Sequence, residues 1–201
     1  MRKKTEAPEP FDYEQAYLEI SSQMQGIHIM RSEEMPRIEL YLDQLISLVS
    51  TELSPLYEPG DKIVTGSMVN NYVKQKVMPA PTRRRYNRTH LAALMFVCCL
   101  KRVLTISQVS SLLLMLDHAD VDVELAYDEL AGTLERATAA RFPQSLKDVE
   151  DDAAVEIHMN LVDRAGNPVT GELPAIMESA VSLVANRAFV EKLLALEAHR
   201  N

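Results

Sequence analysis

The chain has 201 residues, 47% hydrophobic and 25% charged, an ordinary balance for a globular protein and enough length for one domain or a small domain with an appendage. That excludes full disorder and a collagen-like chain. A disulfide framework is excluded as well, because the two cysteines, Cys98 and Cys99, are adjacent and have no distant partner. With 6 Gly, 4 Phe and no Trp the chain is short of the turns and aromatics of sheet-rich domains, so a mostly α fold is expected. Free thiols, a polar first ten residues and the lack of an uninterrupted apolar run of about 18 residues set the expectation of a cytoplasmic protein.

The net charge of -8 is unevenly spread. Residues 1–61 carry 5 basic and 12 acidic side chains, residues 62–102 carry 9 basic and none acidic, and residues 103–160 carry 3 basic and 12 acidic. A stretch of 41 residues without one carboxylate, inside an acidic chain, points to an anionic partner. Its bases are Lys62, Lys74, Lys76, Arg83, Arg84, Arg85, Arg88, Lys101 and Arg102, interleaved with apolar residues as on a folded surface. Phosphate backbones are the commonest ligand of such a surface, through counterion release. The competing reading is pairing with the acidic segments on either side, within the chain or across a dimer.

In chain order, Tyr13, Ala16, Tyr17, Ile20 and Met24 keep helical spacing, which predicts a helix from about Asp12 to Gln25 ended by Gly26. Pro36 is expected to open a second helix with Ile38, Leu42, Leu45, Ile46 and Val49 on one stripe, ending before Pro55. A loop follows, and Thr65 or Ser67 then caps a short helix to about Lys76, with Met68, Val69, Tyr72 and Val73 inward and Asn70, Asn71, Lys74 and Lys76 outward. Pro79 and Pro81 interrupt helix formation, Arg83 to Tyr86 are expected to be extended, and Asn87 caps an apolar, central helix from Arg88 to about Leu104.

Thr105 or Ser107 caps the next helix, which carries Val109, Leu112 and Leu116. An amphipathic helix follows from about Val121 to Arg141, with Leu125, Leu130 and Leu134 inside. Alternation of Val155, Ile157, Met159 and Leu161 suits a strand, while the Ala and Glu residues around them suit a helix, and both readings stay open before a turn-rich loop from Asp163 to Gly171. Glu172 to Arg200 reads as a long terminal helix, able to serve as a dimer contact.

The segment VTGSMVNNYVKQKVMPAPTRRRYNRTHLAALMFVCCLKRVLTISQVSSLLL, from Val64 to Leu114, resembles the DNA-binding head of the mercury-resistance-regulator (MerR) family. The order of parts carries the resemblance: a short helix with Tyr72, the apolar pair Val77 and Met78 before prolines, a basic stretch ending in Tyr86, a capped apolar helix and a helix opened at Ser107. From about Glu34 to Leu134 the chain is also similar to a bacterial family known as domain of unknown function 1836, through MPRIELYLDQ and MVNNYVKQKVMP.

The MerR resemblance implies a helix-turn-helix over residues 34–116 with a reduced wing, flanked by a leader and helix at 1–33 and by helices at 117–201 for dimerisation. It places Ser67, Asn70, Asn71, Tyr72, Lys74 and Lys76 on or beside the recognition helix, and Arg83, Arg84, Arg85, Tyr86 and Arg88 on or beside the wing. Asn70 and Asn71 stand where the family has an arginine and the first of two aromatics, and the wing lacks its glycine turn.

Asn can pair bidentately with adenine, while Lys, Arg and a tyrosine hydroxyl can hold phosphates. The function expected is a sequence-specific transcription regulator that binds double-stranded DNA as a homodimer. The alternative is a protein-interaction module that holds an acidic partner. Cys98 and Cys99 lie in an apolar helix without ligand spacing, the five histidines are scattered, and no phosphate loop, nucleophile elbow or HExxH occurs, so neither an enzyme nor a metal or cofactor site is expected.

Overall fold

Helices begin where the sequence supplies an oxygen to cap them. The computed structural model describes residues 11–145 and 157–198, and within these the chain forms seven α-helices, with backbone pairing limited to isolated bridges. The first, α1 (Tyr13–Gln25), starts at Asp12, whose carboxylate accepts from Gln15 N at 3.0 Å, and ends at Gly26. It is followed by α2 (Leu42–Leu53), α3 (Gly66–Lys74), α4 (Arg88–Leu100), α5 (Ile106–His118), α6 (Val123–Arg141) and α7 (Glu172–Ala198). Asn87 and Thr105 cap α4 and α5, and Asp122 caps α6, each through a side-chain oxygen.

The second helix departs from expectation. It starts at Leu42, six residues after Pro36, and Ile38 is 70% exposed instead of lying on its apolar stripe. The cause is Leu40, whose N–H and carbonyl exchange hydrogen bonds with Tyr86 at 2.8 and 2.9 Å, so its backbone groups are committed to an extended pairing. Similarly, α4 ends at Leu100, four residues short of expectation, and a turn in which Val103 N bonds the Leu100 carbonyl at 3.0 Å leads to the Thr105 cap of α5. On α6 the buried face runs through Ala126, Tyr127, Leu130 and Leu134, which leaves Leu125 47% exposed. Tyr127 takes the inward place and donates its hydroxyl to the Met30 carbonyl.

Among the described residues the alternation before the last helix forms no named strand, and its only backbone pairing is local, from Val169 N to the Leu161 carbonyl at 2.9 Å. Met159 and Leu161 are buried while Asn160 between them is exposed, and Val162 bridges to Pro168 to close the loop. Val155 lies outside the described residues.

The core sits around α4, in which every residue from His90 to Leu100 is buried, with α2, α5, α6 and α7 against it. Cys98 and Cys99 are free and buried there; loss of hydration pushes both thiols up, Cys98 to about 12, so they stay protonated and unreactive. By length and hydropathy α7 would suit a membrane crossing, yet it buries Leu173, Met177, Val181, Val184 and Phe189 against the bundle and is a core helix of this fold.

The chain before α2 is tied to α6 by polar contacts. Arg31 donates to both carboxylate oxygens of Glu135, at 2.8 and 2.5 Å, and Ser32 donates its N–H and hydroxyl to Asp128. Mid-helix Gly132 leaves the room: a Cβ there would come within 3.3 Å of the Arg31 guanidinium. Burial pushes the Glu135 carboxyl up, but bonds from Arg31 and the Ile29 N–H outweigh it, so its pKa falls below the ordinary 4.5. The stability this supplies is present above 4.5 and is lost as pH falls through the lowered value. Glu135→Gln is therefore expected to cost about 1–3 kcal/mol at neutral pH and to flatten the loss of stability between about pH 5 and 3, as read by urea unfolding at a series of pH values.

Candidate nucleic-acid interface

The short helix α3 is anchored on one side and open on the other. Thr65, not Ser67, caps it, its hydroxyl accepting from Met68 N at 3.3 Å. Val69 and Tyr72 are buried, at 0% and 3% exposure, and Ser67, Asn70, Asn71 and Lys74 are exposed, as the spacing predicts. The helix ends in a Schellman motif: Val77 N bonds the Tyr72 carbonyl at 2.9 Å and Lys76 N bonds the Val73 carbonyl at 3.1 Å. That motif puts its penultimate residue in the left-handed region, normally a glycine position, and here Lys76 occupies it with φ 57°.

The following loop is pinned at several points. Val77 and Met78 are buried, the Ala80 carbonyl lies 3.1 Å from His90 Nε2, and Tyr86 pairs with Leu40 while meeting the His90 ring edge-on at 5.6 Å. Between these anchors the arginines are not extended as expected. Thr82 and Arg85 pair across a two-residue turn, with Arg85 N to Thr82 O at 2.9 Å and Arg83 and Arg84 at φ 51° and 60°. Two consecutive positive φ angles match the right-handed twist of a tight hairpin, and Asn-Gly is the usual pair there.

Arg83 and Arg84 are exposed at its tip. Arg85 folds back over the Tyr41 ring, 3.6 Å from its centroid, and donates to the Tyr41 hydroxyl, so much of its capacity is engaged. Arg88, in the first turn of α4, is half-buried. Tyr72 and Tyr86 are core residues: burial pushes both phenols up, Tyr72 to about 12 with help from Cys98, and they remain neutral. The exposed members of the sequence-derived set are thus Ser67, Asn70, Asn71, Lys74, Lys76, Arg83 and Arg84. Sequence reasoning missed Tyr41, whose signal is only visible once Leu40 and Tyr86 are known to pair.

Among the described residues, the bases of residues 62–102 do not find their counterions in the flanking acidic segments. Among the described residues Arg102 alone of the nine forms an ion pair, with Glu191 of α7. The acids are engaged elsewhere: Glu135 with Arg31, Asp128 with Ser32, Glu124 with the Thr89 hydroxyl, Asp120 and Asp122 with Arg164. Three of the four left-handed non-glycine residues are bases of this surface, namely Lys76, Arg83 and Arg84.

A helical protein with a basic edge left unpaired among the described residues is the class that fold and surface define. Residues 30–130 match the family described as Domain of unknown function (DUF1836), half of the chain, and the protein belongs to that family. No curated protein and no solved structure matches it.

A left-handed conformation costs an L-residue with a Cβ about 1–2 kcal/mol. Arg84→Gly is therefore expected to stabilise the fold, by up to about 1 kcal/mol after the added freedom of the unfolded chain is subtracted. A urea midpoint that falls instead would contradict the turn geometry.

Proposed function

We propose that this protein is a cytoplasmic, sequence-specific DNA-binding regulator. In this reading α2 and α3 form a MerR-like helix-turn-helix, and the turn between Thr82 and Arg85 is its reduced wing. The observation that supports it is the set of eight bases from residues 62–102 that have no carboxylate partner among the described residues, in a protein with a net charge of -8.

The division of labour follows from side-chain chemistry. Asn70 and Asn71, side by side on the open face of α3, have the donor and acceptor to read base edges in a major groove. Lys74, Lys76, Arg83 and Arg84 hold the backbone phosphates on either side, with Ser67 at the start of the helix adding a hydroxyl. Arg85 and Arg88, partly enclosed, set the position of the turn and add to its potential. The acidic remainder of the chain repels polyanions that cannot reach this edge.

Regulators of this kind work as two-fold dimers, and α7 offers the contact. Ile176, Leu183, Val190 and Leu194 are 41–65% exposed along one side of a helix whose other side is core. Two copies packed through that row would present two α3 helices to one face of a duplex, at half-sites one helical turn or more apart. Leu183→Glu is expected to convert the dimer to a monomer in light scattering, with the helical circular dichroism unchanged.

The test of the reading is selection of duplexes from a random pool at near-physiological salt. An inverted repeat is the expected product. Arg83→Ala with Arg84→Ala should then weaken binding to all sequences alike and lower the slope of log K against log salt by about 2, whereas Asn71→Ala should shift the preferred base, by about 1–3 kcal/mol. Recovery of no motif, with binding that vanishes as salt rises, would reject it in favour of an acidic protein partner for the same surface.

A further inference from the structure

Behind the open face of α3 lies a cleft of about 410 Å³ that DNA binding leaves unused. The inner side of α3 reaches it through Met68 and Tyr72, and the first turn of α5 through Ile106. Its charge comes from Lys101 and Arg102, just past the end of α4, and from Arg187 of α7. Among the described residues Asp61 is the only carboxylate that lines it.

Arg102 is the group that asks for a ligand. Its side chain is 2% exposed and its guanidinium stacks on the Tyr57 ring, 4.2 Å from the centroid. One nitrogen donates to Glu191, but Nε and Nη1 have no hydrogen-bond partner among the described residues. Buried donors left unmade are costly, and a guanidinium has five N–H groups to satisfy. Glu191 reaches Arg102 only at Nη2, and its other oxygen accepts from Arg187 Nε at 2.6 Å.

Of the other cations, Arg187 shares Glu191 with Arg102, while Lys101 donates to the Ile63 carbonyl and pairs with no acid among the described residues; burial, together with the Arg102 charge, lowers its affinity for its proton. Arg187 spends one nitrogen on the Arg102 carbonyl. Thr105, whose side chain caps α5, and Ile106 line the same cleft. Next to this positive ground Met68, Leu104 and Ile106 offer apolar contact.

We propose that this cleft binds a small organic anion, a carboxylate or phosphate carried on an apolar body about the size of an aromatic ring. The head meets Lys101, Arg102 and Arg187, and the body lies on Met68, Leu104 and Ile106. Met68 and Tyr72 form the inner side of α3, so the bound anion fixes that helix from behind; this last consequence, an effector that tunes DNA binding, rests on the function proposed above.

The test is a thermal-shift and calorimetric titration of the full chain, without DNA, with four probes: phenyl phosphate, benzoate, inorganic phosphate and the neutral benzyl alcohol. Saturable binding of phenyl phosphate or benzoate is expected, with the stronger of the two identifying the head group, and weaker binding of inorganic phosphate and none of benzyl alcohol. Arg102 is too buried to change safely. Lys101→Met should weaken the bound anion about five-fold, the loss of one screened charge contact. Ile106→Glu, an acid at a helix start where it does not harm the helix, should weaken it by about ten-fold or more.

Benzyl alcohol binding as well as benzoate, no saturable response to any anion at about 10 mM, or unchanged affinity in both variants would overturn the assignment. Since no DNA is present, a failed duplex selection does not touch this result, and a failed titration does not touch the selection.

Discussion

A helix that is apolar on every side can exist in water only if other elements cover it completely, and α4 imposes that demand on this protein. Its buried run from His90 to Leu100 includes Phe96, Met95 and both cysteines, and burying one such large side chain contributes about 1.5–3 kcal/mol. Four helices are used as its cover. The polar chemistry of residues 62–102 is consequently displaced to the two ends of α4. At one end stand the arginine turn and Asn87, where the helix dipole is positive and no acid in the first turn offsets it; at the other stand Lys101 and Arg102. One buried element thereby produces two separate regions of positive potential.

Among the described residues the acidic segments do not cancel that potential, for reasons of packing. Asp128 and Glu135 of α6 face the segment before α2, where Arg31, Ser32 and the Ile29 N–H already present donors. Gly132 admits the Arg31 guanidinium between turns of α6, so the strongest polar contacts of the acidic half close the bundle on the side of α1. Charge balance over the whole chain is therefore a poor guide to the potential at any one edge of it.

Much of this was legible in the sequence because the relevant signals are local. The boundaries of α1, the cap at Asn87, the inward positions Val69 and Tyr72 and the central place of α4 all follow from spacing and capping within about ten residues. What was not legible depends on contacts distant in the chain. Pro36 reads as a helix start until Leu40 is found paired with Tyr86, a partner 46 positions away. Leu125 reads as core until Tyr127 is seen reaching the Met30 carbonyl. The arginine run reads as extended because no glycine marks a turn, and only the backbone shows that Arg83 and Arg84 adopt glycine-like angles. The cleft beside Arg102 is assembled from parts as far apart as Tyr57 and Arg187, so no motif announces it.

The pinned loop between Tyr72 and Tyr86 has a consequence for the thermodynamics of association. A flexible basic arm must give up about 1–2 kcal/mol of backbone freedom for each residue it orders against a partner. Here Val77, Ala80, Thr82 and Tyr86 are already held by the fold, and the left-handed angles at Lys76, Arg83 and Arg84 are set before any partner arrives. The ordering cost is carried in the folded state itself, as strain and as pinned backbone. A charged surface built this way discriminates by shape as well as by charge: a partner that does not fit it cannot draw the backbone into a new arrangement to improve the match.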